Sequence, residues 1–231
     1  MNKSVLGAAL AAGILVSGAA DAALVTYGFA CIGATGNTTT CVAGQTQLRL
    51  DVTDTDSNGT LTGQALFIFR NIGNQASSIT DVYFDDGTLL SIAQVVNSTG
   101  VNFSQFATPR NLPGGNNLNP SFNTTAGFSA DSVSPVSING VNPGEQVSIL
   151  FNLLSGQTFS NVLDALNGTL THSGGEPALR VGVHVQAFAD GTSASFVNST
   201  VPLAAVPLPA AAWLMLSGLG ALSLIKRRRK A

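Results

Sequence analysis

Apolar and polar residues alternate with a period of two along several stretches in the middle of the chain. In the clearest of them, residues 179–187, apolar side chains occupy every second position, and Arg180, His184 and Gln186 stand between them. Successive side chains of a β-strand point to opposite faces of a sheet, so this pattern is typical of a strand with one buried face. It predicts a strand over 179–187 that carries His184 on its polar, exposed face.

Two other stretches, 47–53 and 147–153, show the same alternation and predict two more half-buried strands. The run Ala65–Phe69 is instead apolar at every position. A continuous apolar run of this length is typical of a strand that is covered on both faces. We therefore expect residues 60–70 to form a central strand.

Turn residues separate the predicted strands. Residues 54–59, 85–87 and 190–191 each contain an Asn-Gly or Asp-Gly pair, which supplies the positive φ angles that tight hairpins need. Residues 160–166 have a helical pattern and end at Asn167–Gly168, which predicts one short helix.

Many short strands joined by hairpin turns predict an all-β fold. We expect a single antiparallel β-sandwich, of the jelly-roll or immunoglobulin-like kind, with one short helix. Residues 109–120 are rich in Pro, Gly and Asn and are expected to form a loop.

Residues 1–22 have the organisation of a secretory signal peptide. Lys3 supplies a positive charge, residues 5–16 form an apolar run, and residues 20–22 (Ala-Asp-Ala) form a small-residue cleavage site. The run is shorter than the ~20 residues that a helix needs to span a bilayer, which favours cleavage over a permanent anchor. We expect signal peptidase to remove residues 1–22.

Residues 206–231 form a second targeting segment. Val206–Pro209 breaks regular structure and marks the end of the domain, and residues 210–225 are uncharged with no polar face. As a helix, this stretch would rise about 24 Å, a marginal transmembrane span. A cationic tail follows it: Lys226, Arg227, Arg228, Arg229 and Lys230. Such a tail is expected to stay in the cytoplasm and to leave the domain outside.

Residues 23–205 remain as one domain, which is long enough to bury a core. This domain is acidic, because four arginines and no lysine stand against eleven Asp and Glu residues, a formal charge of −7, whereas the whole chain carries −2. Nucleic-acid binding needs a basic surface, so this composition argues against a nucleic-acid partner.

The C-terminal segment resembles the PEP-CTERM sorting signal. The resemblance rests on Val206–Ala211, a short apolar helix with Gly218 and Gly220, and a terminal arginine cluster, in that order. It implies that an exosortase, a transpeptidase-like membrane enzyme of Gram-negative bacteria, recognises a Val-Pro-Leu-Pro-Ala variant of the motif: Val206, Pro207, Leu208, Pro209 and Ala210. The protein would then pass from a transient membrane anchor to the cell surface or the extracellular matrix.

The domain itself is similar to uncharacterised PEP-CTERM proteins. Residues 77–87, 111–117 and 182–186 carry that similarity. It implies a cellular location for the protein but no chemical activity.

Cys31 and Cys41 are the only cysteines in the chain. A cysteine pair in an exported protein typically forms a disulfide, whereas a metal or redox site would need further Cys or His ligands nearby. We expect a structural disulfide that closes a loop of about ten residues and contributes on the order of 3 kcal/mol.

The best candidate for a cofactor is calcium. Asp54, Asp56 and Asn58, followed by Gly59, reproduce the first half of a calcium-binding loop. The bidentate Glu expected at the last position of such a loop is Ala65, and Asp51 would have to replace it. The alternative is an Asx-rich hairpin turn without metal, in which case the protein needs no cofactor.

No catalytic motif accompanies the two histidines, His172 and His184, and both are expected to be exposed surface residues. A glycosidase would need two carboxylates, and Asp81 or Glu145 could meet another acid in the folded chain. Sequence alone selects no such pair. Tyr27, Tyr83 and Trp213 form no evident platform on which a sugar ring could stack.

These observations favour a non-enzymatic surface or matrix protein with a structural or adhesive role. The alternative is a calcium-dependent module that binds extracellular polysaccharide. A secreted hydrolase is the third hypothesis.

Overall fold

The computed structural model describes residues 23–33, 35–55, 61–86, 90–171 and 178–203. The predicted signal peptide, the sorting motif, the apolar segment 210–225 and the basic tail all lie outside these residues. The described strands are β1 Leu24–Cys31, β2 Leu48–Thr55, β3 Leu61–Asn71, β4 Ser78–Asp86, β5 Leu90–Asn97, β6 Phe103–Gln105, β7 Ser129–Ser132, β8 Gln146–Leu153, β9 Leu179–Gln186 and β10 Ala194–Pro202. The described helices are α1 Thr38–Gln47, α2 Val136–Asn139, α3 Phe159–Leu166 and the 3-10 helix Gly115–Asn117.

The ten described strands form one antiparallel sheet in the order β5-β8-β3-β2-β1-β10-β9-β4-β7-β6. The sheet curls until its two edge strands meet. There, Asn97 Nδ2 donates to the Phe103 carbonyl (3.0 Å) and the Phe103 N–H donates to Asn97 Oδ1 (2.8 Å). The all-β antiparallel prediction is therefore confirmed, and the described strands make a single, nearly closed sheet.

The predicted strands are present at the positions that the sequence pattern indicates. The strand at 47–53 and the central strand at 60–70 are β2 and β3, which pair from Leu48–Asn71 to Thr55–Leu61. β9 and β10 form the hairpin that the Asp-Gly pair predicts, with Gly191 at φ 77° in its turn. Side-chain periodicity located β2 and β9, each of which has one face on the core, and a continuous apolar run located β3.

Phenylalanine rings fill the interior of the curled sheet. Phe67 of β3 and Phe151 of β8 meet Phe84 of β4 edge-on, with ring centroids 5.2 Å and 4.7 Å apart. Neither β3 nor β8 is a hydrogen-bonded neighbour of β4, so these contacts cross the interior from one side to the other. Edge-to-face pairs of this kind add to the stabilisation that burial alone provides.

Helix α3 confirms the predicted helix at 160–166. The Thr158 hydroxyl accepts from the Asn161 N–H, and the Asn161 side chain accepts from the Thr158 N–H, which forms a reciprocal capping box. Val162, Ala165 and Leu166 are buried against the sheet.

The disulfide prediction is confirmed, but the segment around it is not the simple loop that we expected. Cys31 and Cys41 are bonded, with Cα atoms 5.3 Å apart. Cys41 lies in the first turns of helix α1, which the sequence analysis missed. Asn37 caps this helix by accepting from the Thr40 N–H at 2.9 Å, and the disulfide ties it to the end of β1.

None of the helices within the described ranges has the length and apolar character needed to cross a membrane.

Candidate functional site

A row of polar residues crosses four adjacent strands on the outer face of the sheet. His184 of β9 pairs with Asp81 of β4, Asp81 pairs with Asp131 of β7, and Asp131 pairs with Ser104 of β6. Residues directly opposite each other in an antiparallel pair share a face, with Cβ atoms about 5 Å apart. Strand register thus brings together carboxylates that are fifty positions apart in the sequence. We call these four residues the cross-strand row.

A histidine and a threonine hold the Asp81 carboxylate. The Thr80 hydroxyl donates to Asp81 Oδ2 at 2.8 Å, and His184 Nδ1 lies 3.2 Å from the same oxygen. The β4–β9 register shifts between Ile79 and Asp81, and this irregularity allows both Thr80 and His184 to approach the Asp81 carboxylate. The side chains of Asp81 and His184 are only 4% and 16% exposed. The prediction that His184 is an exposed surface residue is therefore wrong.

Asp131 is the second acid of the row. Burial and the nearby Asp81 carboxylate raise the pKa of Asp131 from its ordinary value of 3.8 to about 6. The Thr108 backbone N–H and the His184 ring favour the ionised form and limit this rise. The two carboxyl groups are hydrogen-bonded to each other. The pair can therefore hold one proton between them, which avoids placing two negative charges side by side.

Tyr83 lies beside the acid pair and connects it to the segment that covers it. Burial, followed by the charges of Asp81 and Asp131, raises the pKa of Tyr83 well above its usual range. The phenol therefore keeps its proton, and its O–H donates a hydrogen bond to the Pro109 carbonyl, with the two oxygens 3.0 Å apart.

Residues 106–128, which join β6 to β7, run across this outer face, and we call them the cover loop. A second apolar cluster forms where the cover loop meets the sheet, and its members are Ala107, Leu112 and Phe122 of the loop with Ile32 and Tyr83. Gly182 of β9 makes room for this packing, because a Cβ atom there would collide with the Leu112 side chain. The cover loop is thus packed onto the sheet and does not extend freely into solvent.

Arg180 of β9 fastens the middle of the cover loop. Its guanidinium forms an ion pair with Asp85 and donates to the carbonyls of Pro120 (2.7 Å) and Ser121 (2.6 Å). Its Cζ also lies 5.4 Å from the centroid of the Phe122 ring. A guanidinium can satisfy several acceptors at once because its five N–H donors lie in one plane.

On its solvent side, the cover loop borders a groove of ≈ 710 Å³. Phe106, Arg110 and Asn111 come from the start of the cover loop, and residues 124–127 with Ser129 form the opposite wall. Phe106 is 66% exposed. The sequence analysis missed this ring because nothing in the sequence distinguishes it from the many buried phenylalanines.

The predicted calcium ligands are only partly described. Asp54 is half-buried at the end of β2 and accepts from the Ala23 N–H at 3.2 Å, whereas Asp56 and Asn58 lie outside the described residues. Asp51, the possible extra ligand, already accepts from Thr26 Oγ1 and pairs with Arg70. Within the described ranges, no group of three or more His, Cys, Asp or Glu side chains could hold a metal ion.

The hypothesis that Asp81 meets another acid is borne out by Asp131, whereas Glu145 closes a turn. Its Oε2 accepts from the Asn142 N–H at 2.8 Å. His172 lies outside the described residues. Glycosidase carboxylates flank a substrate and stand about 5 to 9.5 Å apart. The hydrogen-bonded pair in the cross-strand row has a different geometry, one suited to holding a shared proton beneath the cover loop.

Comparison with known proteins returned no matching family model, no matching curated protein and no matching solved structure. The described part of the chain defines an acidic, disulfide-bonded protein built on one curled antiparallel sheet.

Proposed function

We propose that the chain is an exported cell-surface or extracellular-matrix protein with a structural or adhesive role in the envelope or biofilm matrix. The observation that carries the proposal is the Cys31–Cys41 disulfide. Disulfides persist in oxidising compartments outside the cytoplasm, which agrees with removal of residues 1–22 by signal peptidase. The exosortase-type motif at Val206–Ala210 and the apolar segment 210–225 would then sort the protein to the surface of a Gram-negative bacterium.

The packing of the cover loop supports a structural role in place of catalysis. The acids of the cross-strand row interact with each other and with His184, and Arg180 donates to the Pro120 carbonyl of the cover loop. A secreted hydrolase would need carboxylates that reach a substrate. We further propose that the curled sheet acts as a two-layered sandwich, because β3 and β8 pack against β4 through their phenylalanine rings.

The mass of the protein from its native host tests this proposal. Export and sorting require a product that lacks residues 1–22 and the part of the chain that follows the Val206–Pro209 region, recovered from the surface or the medium. A Pro207→Ala, Pro209→Ala double variant should keep its C-terminal mass and remain in the inner membrane. If the unaltered chain is found there at full C-terminal length, residues 210–225 are a permanent anchor and the sorting proposal is wrong.

Cleavage before Ala23 would also change the surroundings of Asp54. The Ala23 nitrogen, which donates to Asp54 Oδ1 at 3.2 Å, would become a charged α-amino group. An ammonium beside a carboxylate forms a charge-assisted hydrogen bond, which is stronger than the one made by a peptide N–H.

The alternative function is a calcium-dependent module that binds extracellular polysaccharide. The position of Asp54 favours it, since this acid stands where β2 leaves the sheet and the candidate calcium loop begins. Calcium should then raise the melting temperature of the processed protein, and Asp54→Ala should remove that response. The Asp164→Ala variant is a control outside the loop. No change on adding calcium, or an equal response in both variants, would exclude this alternative.

A further inference from the structure

The groove beside the cover loop combines one exposed ring, one guanidinium and several short polar side chains. Thr108, Asn111 and Thr125 lie along it with Phe106 and Arg110. Small-molecule sites typically have this composition, an apolar platform with a few polar groups that fix the orientation of the ligand.

Phe106 has an unusual backbone as well as an exposed ring. Its φ angle is 75°, in the left-handed region that favours glycine, and its side chain is 66% exposed. Glycine would adopt this backbone without strain, and packing gains little from a ring that faces solvent. Strained residues of this kind concentrate at binding sites. A role in contacting a ligand explains why a large ring occupies this position.

Arg110 is the described arginine whose charge is not already engaged. Arg49 donates to the carbonyls of Thr46 and Leu48, Arg70 pairs with Asp51, and Arg180 pairs with Asp85. Among the described residues, Arg110 has no ion-pair partner, and it borders the groove. An uncommitted guanidinium is suited to bidentate recognition of a carboxylate.

Thr124 adds a second uncommitted group. It lines the groove, and its Oγ1 is buried with no hydrogen-bond partner among the described residues. Nearly all buried polar atoms in proteins are paired, so an orphan hydroxyl at a groove wall needs an explanation. Because the Oγ1 atom is buried, a small shift of this wall would have to bring it to the surface of the groove before a ligand hydroxyl could pair with it.

We propose that this groove binds a carboxylated oligosaccharide, a segment of a uronate-containing polysaccharide. One sugar ring would lie against Phe106, its carboxylate would pair with Arg110, and its hydroxyls would meet the Thr108 and Asn111 side chains. The acidic domain offers an anion no general attraction, so recognition depends on this local cation. The inference rests on the proposed location in an extracellular matrix and names the class of polymer that the protein would hold there.

Binding of oligogalacturonate to the full chain in mild detergent, measured by calorimetry in the presence of EDTA, tests the inference. A neutral oligoglucan of equal length is the matched ligand control. We expect the protein to bind the uronate but not the glucan. Arg110→Gln should weaken uronate binding about tenfold or more, because it removes one charge-assisted contact. Arg49→Gln removes an equal charge elsewhere and should leave the affinity unchanged.

Phe106→Gly separates a binding role from a structural one. This variant removes the ring and permits the positive φ angle, so the melting temperature should not fall, whereas binding should be lost. The inference is overturned if the unaltered protein does not bind the uronate, binds the glucan equally well, or loses affinity equally in the Arg49 and Arg110 variants. An acidic peptide that competes for the groove with higher affinity would also overturn it. Since tail processing is read from the mass of the host protein, either proposal can fail without the other.

Discussion

Replacing Arg180 with glutamine is expected to lower the free energy of unfolding by about 3–5 kcal/mol, the usual effect of breaking a buried ion pair. The side chains of Arg180 and Asp85 are only 10% and 18% exposed. Glutamine cannot neutralise Asp85, and its single amide cannot also reach the carbonyls of Pro120 and Ser121. The variant therefore leaves one carboxylate and two carbonyls without the donors that now satisfy them.

Urea unfolding of Arg180→Gln and Arg70→Gln provides the measurement and its control. Arg70 also pairs with an aspartate, Asp51, at 2.9 Å, but its side chain is 45% exposed. An ion pair in such a position contributes about 1 kcal/mol or less. Equal losses in the two variants would show that Arg180 does not fasten the cover loop.

Limited trypsin digestion can locate the effect of Arg180→Gln within the fold. Arg110 is an exposed trypsin site inside the cover loop. If the cover loop loosens before the sheet unfolds, cleavage after Arg110 should become faster under native conditions. An Arg180→Gln, Asp85→Asn double variant should recover part of the lost stability, because it removes the unpaired charge.

The periodicity of β9 predicted its position and its buried face correctly. Leu179, Val181 and Val183 are fully buried in the core. The other face was expected to meet solvent, yet the cover loop lies over Arg180 and Gly182. A period of two shows which residues share a face, but it does not show what lies on that face. The Pro-, Gly- and Asn-rich composition of the cover loop predicts only a loop. Its packing onto the sheet depends on contacts with residues that are distant in the sequence.

Helix α1 shows a second limit of local prediction. Its sequence, TTTCVAGQTQ, contains four Thr and one Gly, residues with low helix propensity. Tertiary contacts stabilise it instead. The disulfide holds Cys41, and Gly44 lies so close to the Phe196 ring that any Cβ there would collide with it. Neither constraint is visible in the local pattern.

The candidate site was predictable only in outline. Asp81 could be named as an acid that might meet another, but its partner Asp131 lies on β7, a strand of four residues. Pairing of the two acids depends on the register between β4 and β7, which the sequence does not determine on its own. The groove depends in the same way on how the cover loop folds back over the sheet.

One segment connects the acid pair with the proposed binding groove. The Thr108 backbone N–H donates to the Asp131 carboxylate, and the same residue lines the groove together with its neighbours Phe106 and Arg110. Ionisation of Asp131 therefore acts on the segment that would hold the sugar. Protonation of Asp131 below its pKa of about 6 removes the repulsion between its carboxylate and that of Asp81.

Asp131→Asn is expected to remove a pH dependence of stability that is opposite to that of an ordinary carboxylate. The pKa of Asp131 is about 6 in the folded chain, against an ordinary value of 3.8. A group that holds its proton more tightly when folded stabilises the fold below its unfolded pKa, and this contribution is lost as the pH rises through the folded pKa. This contribution of Asp131 should therefore disappear between about pH 4 and pH 6.

Asparagine keeps the size of Asp131 and can still donate to Asp81, but it carries no charge. We expect the variant to match the unaltered protein near pH 4 and to exceed its stability above pH 6 by about 2 kcal/mol, after allowance for solvent screening. Asp190→Asn is a control of opposite sign, because hydrogen bonds from Thr192 and Asn37 lower the pKa of Asp190 to about 2. That variant should lose stability at neutral pH and converge with the unaltered protein in acid. Melting temperatures of the three proteins across this range decide the matter, since a constant offset for Asp131→Asn would mean that folding does not raise the pKa of Asp131.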